Sequence, residues 1–278
     1  QRYVDLRTLK PVPSGHGDSQ SKESRTLTGI EWAFAGTSES TPEMPSRPAH
    51  TVWHHSIDSH SRNPQSDEGD MYPQPDGGVL EKGSMANPAT GKVTDYEEMW
   101  DDEDVTVIGG DSQRVCVVLE MEHDTGGSEP MKGIVIRVGS RCHGLVIGGR
   151  EGESNSERKV DLEKWVWKSE SSSRNEGEGY DYEIEGKDQE VKGDDEVYVF
   201  GGEDEDNDMG AGGVGETTSS QSEPAEKKKG GWVRTAKIGD RFMPCVFAFE
   251  AGEKGFVKEG HTVEAGGATW TVTERHLW

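Results

Sequence analysis

The sequence predicts a mainly β fold built from barrels or sandwiches, and three observations lead to this prediction. Apolar residues gather in short runs, such as those at 115–119 and 133–138, instead of recurring at helical spacing. Turns that contain Gly separate the runs, which is typical of antiparallel sheets. No segment keeps an apolar period of about 3.6 residues with capping signals, so little helix is expected.

Strand signals follow one another through the first half of the chain. The first is expected at 3–9, because apolar residues there precede Pro11, which cannot continue a strand ladder. In the next strand, 30–35, Trp32 and Phe34 share one face because side chains alternate along a strand. Further strands are expected around 52–57, 79–80 and 93–96, leading to Met99 and Trp100.

A change of composition divides the chain. The acidic run 101–104 and the turn at 109–111 mark a boundary near 105–112, which predicts one domain at 1–108 and another at 112–278. The second domain holds the most apolar strands. They are expected at 115–121, 133–138, 145–147, 162–167, 196–200, 231–238, 242–249 and 268–274.

Two polar insertions interrupt the second domain. Residues 168–195 and 201–230 are rich in Ser, Glu, Gly and Asp, and cannot bury enough apolar surface to offset their ordering entropy. They are expected to be disordered acidic loops. A faint internal repeat relates 79–100 to 262–278, and both a real duplication and a chance similarity between β-hairpins remain open.

Net charge narrows the range of partners. The formal charge of −24 and the pI near 4.7 disfavour nucleic acid and anionic membrane surfaces, whereas they suit a basic protein partner. Three cysteines without a CxxC pair, and no Asn-x-Ser/Thr sequon, predict a reduced compartment. No apolar run is long enough for a membrane helix. We therefore expect a cytoplasmic protein, with the nucleus as a second location; the chain starts at Gln1 without Met, so a missing targeting segment proves little.

The segment 29–39 (GIEWAFAGTSE) resembles the signature strand of the fungal Hri family, which is named for interaction with a yeast casein kinase I homologue. Further similarities follow in the expected order along the chain. They lie at 3–13 (YVDLRTLKPVP), 70–73 (DMYP), 95–100 (DYEEMW), 133–136 (GIVI) and 260–274. The resemblance implies two consecutive lipocalin-like (calycin-type) antiparallel β-barrels in an intracellular protein without assigned catalytic residues.

Two departures from that family pattern stand out. The insertions at 168–195 and 201–230 are longer and more acidic than the resemblance implies. The chain also begins one strand late, so the first barrel is expected to lack its first strand and therefore an edge partner.

Two segments imitate ligand-binding motifs. Gly210 to Gly215 matches GxGxxG, but a phosphate-binding turn must open a helix, and no apolar period follows here. A disordered linker is the favoured interpretation. The acidic run 204–208 has the alternate carboxylates of a calcium loop, yet Met209 and Gly215 occupy the places of its required Gly and Glu. A solvated charge run is therefore favoured.

Histidines and cysteines are the candidate reactive groups of this sequence. The histidines near Trp53 could meet a metal or a haem, although satisfied or exposed side chains are the commoner outcome; they are His50, His54, His55 and His60. Cys142 and His143 are adjacent and diverge in a strand, so they cannot form a nucleophile–base pair. Cys116 and Cys245 are expected to be small buried hydrophobes. No enzymatic activity and no cofactor are predicted.

Large aromatic residues form the candidate site. We predict that they line a barrel interior or cavity, with a packed core favoured over a ligand cavity; they are Trp32, Phe34, Trp53, Phe247, Phe249 and Trp270. Ala33, Ala35 and Gly36 are expected to permit close packing and a following turn.

Three serines precede a carboxylate by three residues, which is the pattern that acid-directed kinases recognise. They are Ser40, Ser173 and Ser220. The favoured function is a non-enzymatic interaction module for protein partners, with a casein kinase I type kinase or the protein-translocation machinery suggested by the resemblance. The alternative is a carrier that holds an apolar ligand or haem in a barrel interior. The oligomeric state stays open.

Overall fold

The computed structural model describes residues 1–8, 30–86, 91–108, 113–121, 130–149, 158–169, 197–199, 230–252 and 257–278. Most of them lie in strands, and one short helix is present among them. The strands form two antiparallel sheets that follow one another along the chain, each curled into a half-barrel. The predicted mainly β fold with little helix is therefore confirmed. None of the described helices is long and apolar enough to cross a membrane.

The first sheet is a six-stranded meander in which each strand pairs with the next one in sequence. Its strands are β1 (Arg2–Thr8), β2 (Ile30–Thr41), β3 (Ala49–Asp58), β4 (Asp67–Pro73), β5 (Val79–Ala86) and β6 (Val93–Trp100). Each pairing joins strands that are consecutive in the chain, and such strands meet at little entropic cost. The strands β1 and β6 form the two edges of the sheet.

Strand β2 connects the two halves of the molecule. Trp32 and Phe34 face the interior of the first half-barrel, whereas Ala33 and Ala35 are fully buried against the second sheet. A side chain at Gly36 would lie 1.8 Å from the carbonyl oxygen of His54, so only Gly permits this strand approach. The turn expected after Gly36 is wrong, because β2 continues to Thr41 after a register shift.

The second sheet has eight strands in the order β11-β12-β10-β9-β8-β7-β14-β13. They are β7 (Val115–Met121), β8 (Met131–Val138), β9 (Arg141–Gly148), β10 (Lys159–Ser169), β11 (Val197–Val199), β12 (Gly230–Ile238), β13 (Thr262–Ala265) and β14 (Ala268–Leu277). Strand β14 returns to pair with β7, so the last hairpin joins the first strand of this half.

The strand expected at 242–249 is wrong, since the helix α1 (Cys245–Phe249) occupies this segment. Pro244 precedes it at the N-cap and cannot donate to a strand ladder. Its buried residues Cys245, Ala248 and Phe249 recur at helical spacing. The helix therefore packs its apolar side against the interior of the second half-barrel, in contact with β7, β8 and β9.

The acidic insertions largely fall outside the described residues. Residues 168–169 end β10 and residue 230 begins β12, so the expected loops were drawn slightly too long at these points. The segments 170–195 and 201–229 lie outside the described part of the chain.

The two sheets are packed together. Ile57 joins Ala33 and Ala35 from the first sheet in an apolar cluster with side chains of the second. Those side chains are Val118, Ile134, Ile136, Leu145, Ile147 and Leu162. Burial of this aliphatic surface stabilises the contact between the halves at about 25 cal/mol per Å² of apolar area.

Candidate functional site

The predicted aromatic residues of the first domain surround the interior of the first half-barrel. Trp32 is 7% exposed and Phe34 is 2% exposed, with ring centroids 4.5 Å apart. Trp53 is half-buried and stacks on Trp100 with centroids 6.0 Å apart. The guanidinium of Arg7 lies over the rings of Trp32 and Phe34 at 5.2 Å and 5.0 Å, a favourable cation–π arrangement.

Asp58 connects the aromatic cluster to the end of β3. Its carboxylate accepts hydrogen bonds from Trp32 Nε1 at 3.0 Å, His55 Nδ1 at 3.0 Å and the backbone N–H of His60 at 2.7 Å. Burial raises the pKa of Asp58, but these hydrogen bonds lower it by more, so the pKa lies below its ordinary value. The carboxylate is therefore a charged structural acceptor inside the half-barrel.

Glu81 forms a second polar centre in the same interior. Its two oxygens accept hydrogen bonds from Tyr96 Oη at 2.6 Å and Trp100 Nε1 at 2.7 Å. Burial raises the pKa of Glu81 and, with this carboxylate beside it, that of Tyr96. A side chain at Gly83 would lie 2.4 Å from the Tyr96 ring, so the glycine makes room for the tyrosine. The hydrogen bonds fix both groups in place.

The interior of the second half-barrel holds the remaining predicted residues. Trp270 is fully buried and donates from Nε1 to the carbonyl of Ala265 at 3.2 Å. Phe249 stacks on Trp232 with centroids 4.2 Å apart, whereas Phe247 is only partly buried against this core. The predicted set is therefore divided between two separate interiors. Its role in lining a ligand cavity stays a prediction.

Arg137 lies at the centre of the second interior with no exposed surface. It donates to the carbonyl oxygens of Gly139 at 3.1 Å, Phe249 at 2.8 Å and Ala248 at 3.3 Å. Two of these carbonyls, those of Ala248 and Phe249, lie at the C-terminal end of α1. The sequence does not predict this role for Arg137, because an arginine in an apolar strand gives no sign of its distant acceptors.

Cys142 and His143 lie on opposite faces of β9. Cys142 and Cys245 are buried in the second core, and burial raises the pKa of the Cys245 thiol. His143 lies on the other face of β9, where burial lowers its pKa to about 4. Over the described residues, no group of three or more His, Cys, Asp and Glu side chains is arranged to hold a metal.

The four histidines near Trp53 are divided among different surroundings. His55 is buried against Phe34 with ring centroids 4.4 Å apart, and His60 stacks on Trp32 at 5.3 Å. His54 instead bonds Ser66 at 2.9 Å on the exposed side. His50 lies on the outer face of the first sheet, the face turned away from the half-barrel interior.

That outer face contains an open cavity of about 660 Å³ across β3 to β6, which we call the acidic cavity. Strand register builds it, because His50 pairs with Asp70, Asp70 with Lys82, and Lys82 with Glu97. Its charged and titratable lining residues are Glu68, Asp70, Asp95, Glu97, Lys82 and His50. Four carboxylates thus face one lysine, which favours a cationic guest.

Local pairs hold the side chains of the acidic cavity. Lys82 Nζ lies 2.6 Å from Glu97 Oε1, and this hydrogen bond raises the pKa of Lys82. His50 Nδ1 lies 2.9 Å from an oxygen of Asp70. Asp70 and Glu97 each retain an oxygen for a further donor, since a carboxylate can accept several hydrogen bonds.

An exposed apolar row borders the acidic cavity on the same outer face. Tyr72 on β4 pairs with Leu80 on β5, and Leu80 pairs with Met99 on β6. Tyr72 is 38% exposed and Met99 is 55% exposed. The row ends at β6, an edge strand whose pairing in the described sheet is with β5 alone. Apolar side chains beside an open edge are suited to contact with another chain.

Comparison with known proteins identifies a protein family. The family model described as Protein HRI1 matches residues 1–274. No curated protein and no solved structure matches the chain.

Proposed function

Because the chain belongs to the HRI1 family, we propose that it is a non-enzymatic protein-interaction module that binds a basic, extended segment of a partner protein. The binding surface is the outer face of the first sheet. The observation that carries the proposal is the acidic cavity of about 660 Å³ beside the apolar row of Tyr72, Leu80 and Met99. The two features together offer charge and apolar contact on one face.

Electrostatics support a basic partner. The one lysine of the acidic cavity is paired with Glu97, so Glu68, Asp70 and Asp95 leave an excess of negative charge. Glu68 is well exposed, and Asp70 lies beside a histidine. The chain as a whole carries −24, which steers cationic partners toward it at low salt.

The geometry of β6 supports an extended partner. An edge strand presents unpaired N–H and C=O groups to which an added strand can bond, while alternate side chains enter neighbouring pockets. On β6, Asp95 and Glu97 point to the acidic cavity and Met99 continues the same face into the apolar row. A partner strand that alternates Lys or Arg with apolar residues matches this order.

The family suggests which partner to test first. A casein kinase I type kinase is our leading candidate, and the protein-translocation machinery is the second, both acting in the cytoplasm or nucleus. Three serines stand three residues before a carboxylate, which is the pattern of acid-directed kinases. Of these, Ser40 is exposed on β2, and its hydroxyl lies 2.9 Å from that of Thr51. Ser173 and Ser220 lie outside the described residues.

The carrier function stays a prediction without a specific observation in its favour. A carrier needs an empty interior of a few hundred Å³ with apolar lining. Arg7 covers Trp32 in the first interior, and α1 packs into the second. Native mass spectrometry of the purified protein would reveal a retained ligand or haem.

A peptide-binding experiment tests the proposed function. Fluorescence anisotropy is measured with a peptide that alternates Lys and Val, and with the same peptide carrying Glu in place of Lys. We expect the Lys peptide alone to bind, with affinity falling as salt rises. The double variant Glu68→Lys and Asp95→Lys should bind at least about tenfold more weakly. Glu264→Lys on β13 is the matched control.

Two results would overturn the interaction site. One is equal binding of the Lys and Glu peptides, and the other is equal affinity of the double variant and the Glu264→Lys control. A separate pull-down of a purified casein kinase I type kinase, with and without the double variant, tests the identity of the partner. Failure of the kinase to bind while the Lys peptide binds would reject only that partner.

A further inference from the structure

The hydroxyl group of Tyr96 lies between two buried carboxyl groups in the first half-barrel. Tyr96 Oη is 2.6 Å from Glu81 Oε1 and 2.9 Å from Asp67 Oδ1, and the carbonyl oxygen of Glu68 lies at 3.2 Å. Glu81 is 2% exposed and Asp67 is 6% exposed. Asp67, Glu81 and Tyr96 come from β4, β5 and the edge strand β6, and we call them the carboxyl–tyrosine trio.

These distances determine how many protons the carboxyl–tyrosine trio holds. A phenol has one proton to donate, whereas an ionised carboxylate has none. If both carboxyl groups were ionised, the proton of Tyr96 would serve one of them, and the other would face the phenol oxygen with no proton between them. Both contacts have the length of a hydrogen bond. Glu81 and Asp67 therefore share one proton in addition to the proton of Tyr96.

The cation on β1 does not remove the need for this shared proton. The guanidinium of Arg7 faces the trio, but it lies 3.0 Å from a carboxylate oxygen of Asp5 and 2.5 Å from one of Glu98. Its positive charge is thus shared by two other carboxylates, which leaves little of it for a second negative charge in the trio. The titratable and charged side chains of this interior are Tyr3, Asp5 and Arg7 of β1, His55 and Asp58 of β3, His60 just after β3, and Glu98 of β6.

Burial of Glu81 favours the same protonation state. It is the main cause that raises the pKa of Glu81, and the charge of Asp67 adds to the rise. The hydrogen bonds from Tyr96 and Trp100 and the charge of Arg7 act in the opposite direction, but they do not cancel it. Since the two carboxyl groups are coupled through one phenol, the proton belongs to the pair and not to either residue alone.

We propose that the carboxyl–tyrosine trio is a proton-held latch for the edge strand β6. With the shared proton present, Tyr96 is hydrogen-bonded to both β4 and β5, and Trp100 Nε1 adds a bond from β6 to Glu81 at 2.7 Å. Loss of the proton removes one of these bonds and leaves two buried carboxylates beside one phenol oxygen. Rising pH therefore loosens β6 from the sheet. The latch is a property of the first sheet and does not depend on a bound partner.

The shared proton also fixes the direction of the pH dependence. The pKa of Glu81 rises on folding from its ordinary value of 4.5, so above pH 4.5 the folded protein binds one proton more than the unfolded chain. The contribution of the trio to stability is therefore fully present below pH 4.5 and is lost as pH rises through the folded-state pKa.

Glu81→Gln tests the latch, because an amide donates and accepts hydrogen bonds as a protonated carboxyl group does, but does not titrate. Infrared spectra of the full chain are recorded across the pH range in which it is folded. We expect wild type to show the C=O band of a protonated carboxyl group that Glu81→Gln lacks, and this band should disappear with a midpoint above pH 4.5. Glu39→Gln, at an exposed carboxylate on β2, should keep the band.

Hydrogen exchange of the β6 amides measures the hold on the edge strand itself. Wild type and Glu81→Gln are compared at equal pH, so that the intrinsic pH dependence of exchange cancels. Once the infrared band is lost, Val93–Trp100 should exchange about fivefold faster in wild type than in Glu81→Gln. Below pH 4.5 the two proteins should exchange at similar rates, and Glu39→Gln should follow wild type throughout.

The proposal can fail in either measurement. If Glu81→Gln does not fold, Asp67→Asn takes its place, because it removes the other carboxyl group that shares the proton. Absence of the band in wild type, or a midpoint at or below pH 4.5, would overturn the shared proton. Equal exchange of β6 in wild type and Glu81→Gln after the band is lost would overturn the latch.

Discussion

Arg7 on β1 and Glu98 on β6 form a bidentate ion pair between the two edge strands of the first sheet. Arg7 Nη1 lies 2.5 Å from Glu98 Oε1, and Nη2 lies 3.1 Å from Oε2. Both side chains are about one quarter exposed, at 24% and 26%. The side chains of this pair thus bridge the two edge strands, which are not neighbours in the hydrogen-bonded order of the sheet.

Loss of this pair should destabilise the first sheet. Arg7→Met leaves Glu98 partly buried without its cation, and we expect the free energy of unfolding to fall by about 1–3 kcal/mol, between the values for exposed and buried pairs. Urea unfolding followed by tryptophan fluorescence would measure the loss. Lys82→Met, which removes the exposed partner of Glu97, should change stability little. Equal losses in the two variants would contradict a special role for Arg7 and Glu98.

Replacement of Asp58 should reveal how strongly its carboxylate organises the interior. Asp58→Asn removes the charge that holds Trp32 and His55, so we expect a loss of about 2–4 kcal/mol near neutral pH. The folded-state pKa of Asp58 lies below its ordinary value of 3.8. Its contribution to stability is therefore present above that value and is lost as pH falls through the folded-state pKa.

The measurement for Asp58 is chemical unfolding of wild type and Asp58→Asn at several pH values. The gap in unfolding free energy should be widest above pH 3.8 and should narrow below it. A gap that stays constant into the acid range would show that the charge of Asp58 is not what stabilises the fold. Asp76→Asn, in the exposed turn before β5, provides the control.

His143 should titrate far below an ordinary histidine. Burial first, and then the charges of Lys164 and Arg141, lower its pKa from 6.5 to about 4. Because the folded-state pKa is depressed, the neutral form contributes stability above pH 6.5, and this contribution is lost as pH falls toward 4. NMR titration of the imidazole resonances would measure the value. A His143 midpoint near 6.5 would contradict the prediction.

Arg137 should be essential for the second half-barrel. Arg137→Met keeps much of the side-chain volume but leaves the carbonyls of Ala248 and Phe249 without their buried donor. We expect a loss of about 2–5 kcal/mol in the free energy of unfolding. Arg141→Met, which breaks an exposed pair with Glu103, should cost about 1 kcal/mol or less. Near-UV circular dichroism of the buried tryptophans would follow the loss of packing.

The sequence predicts the strands of this fold more readily than its binding surfaces. Alternation along 30–35 predicts the inward position of Trp32 and Phe34 because strand geometry is local. The segment of α1 is short and apolar, and such a segment favours the prediction of a strand. Pro244 and the spacing of Cys245 and Ala248 are the signals that favour a helix instead.

The acidic cavity and the apolar row could not be predicted in the same way. Tyr72, Leu80 and Met99 come from three strands, and only the pairing register brings them side by side. A shift of one residue in that register would place each side chain on the opposite face. The carboxyl–tyrosine trio depends on pairing in the same way, because its members come from β4, β5 and β6.

The return of β14 to β7 determines the order in which the strands of this protein can pair during its synthesis. The strands of the first sheet pair with their neighbours in the chain and can do so as they leave the ribosome, whereas the pairing of β7 with β14 must wait until β14 has been translated. Until β7 to β10 have been translated, Ala33, Ala35 and Ile57 lack the aliphatic surface that covers them in the finished molecule. A nascent chain therefore exposes this apolar patch until the segment that contains Leu162 has left the ribosome, and exposed apolar surface at that stage favours aggregation.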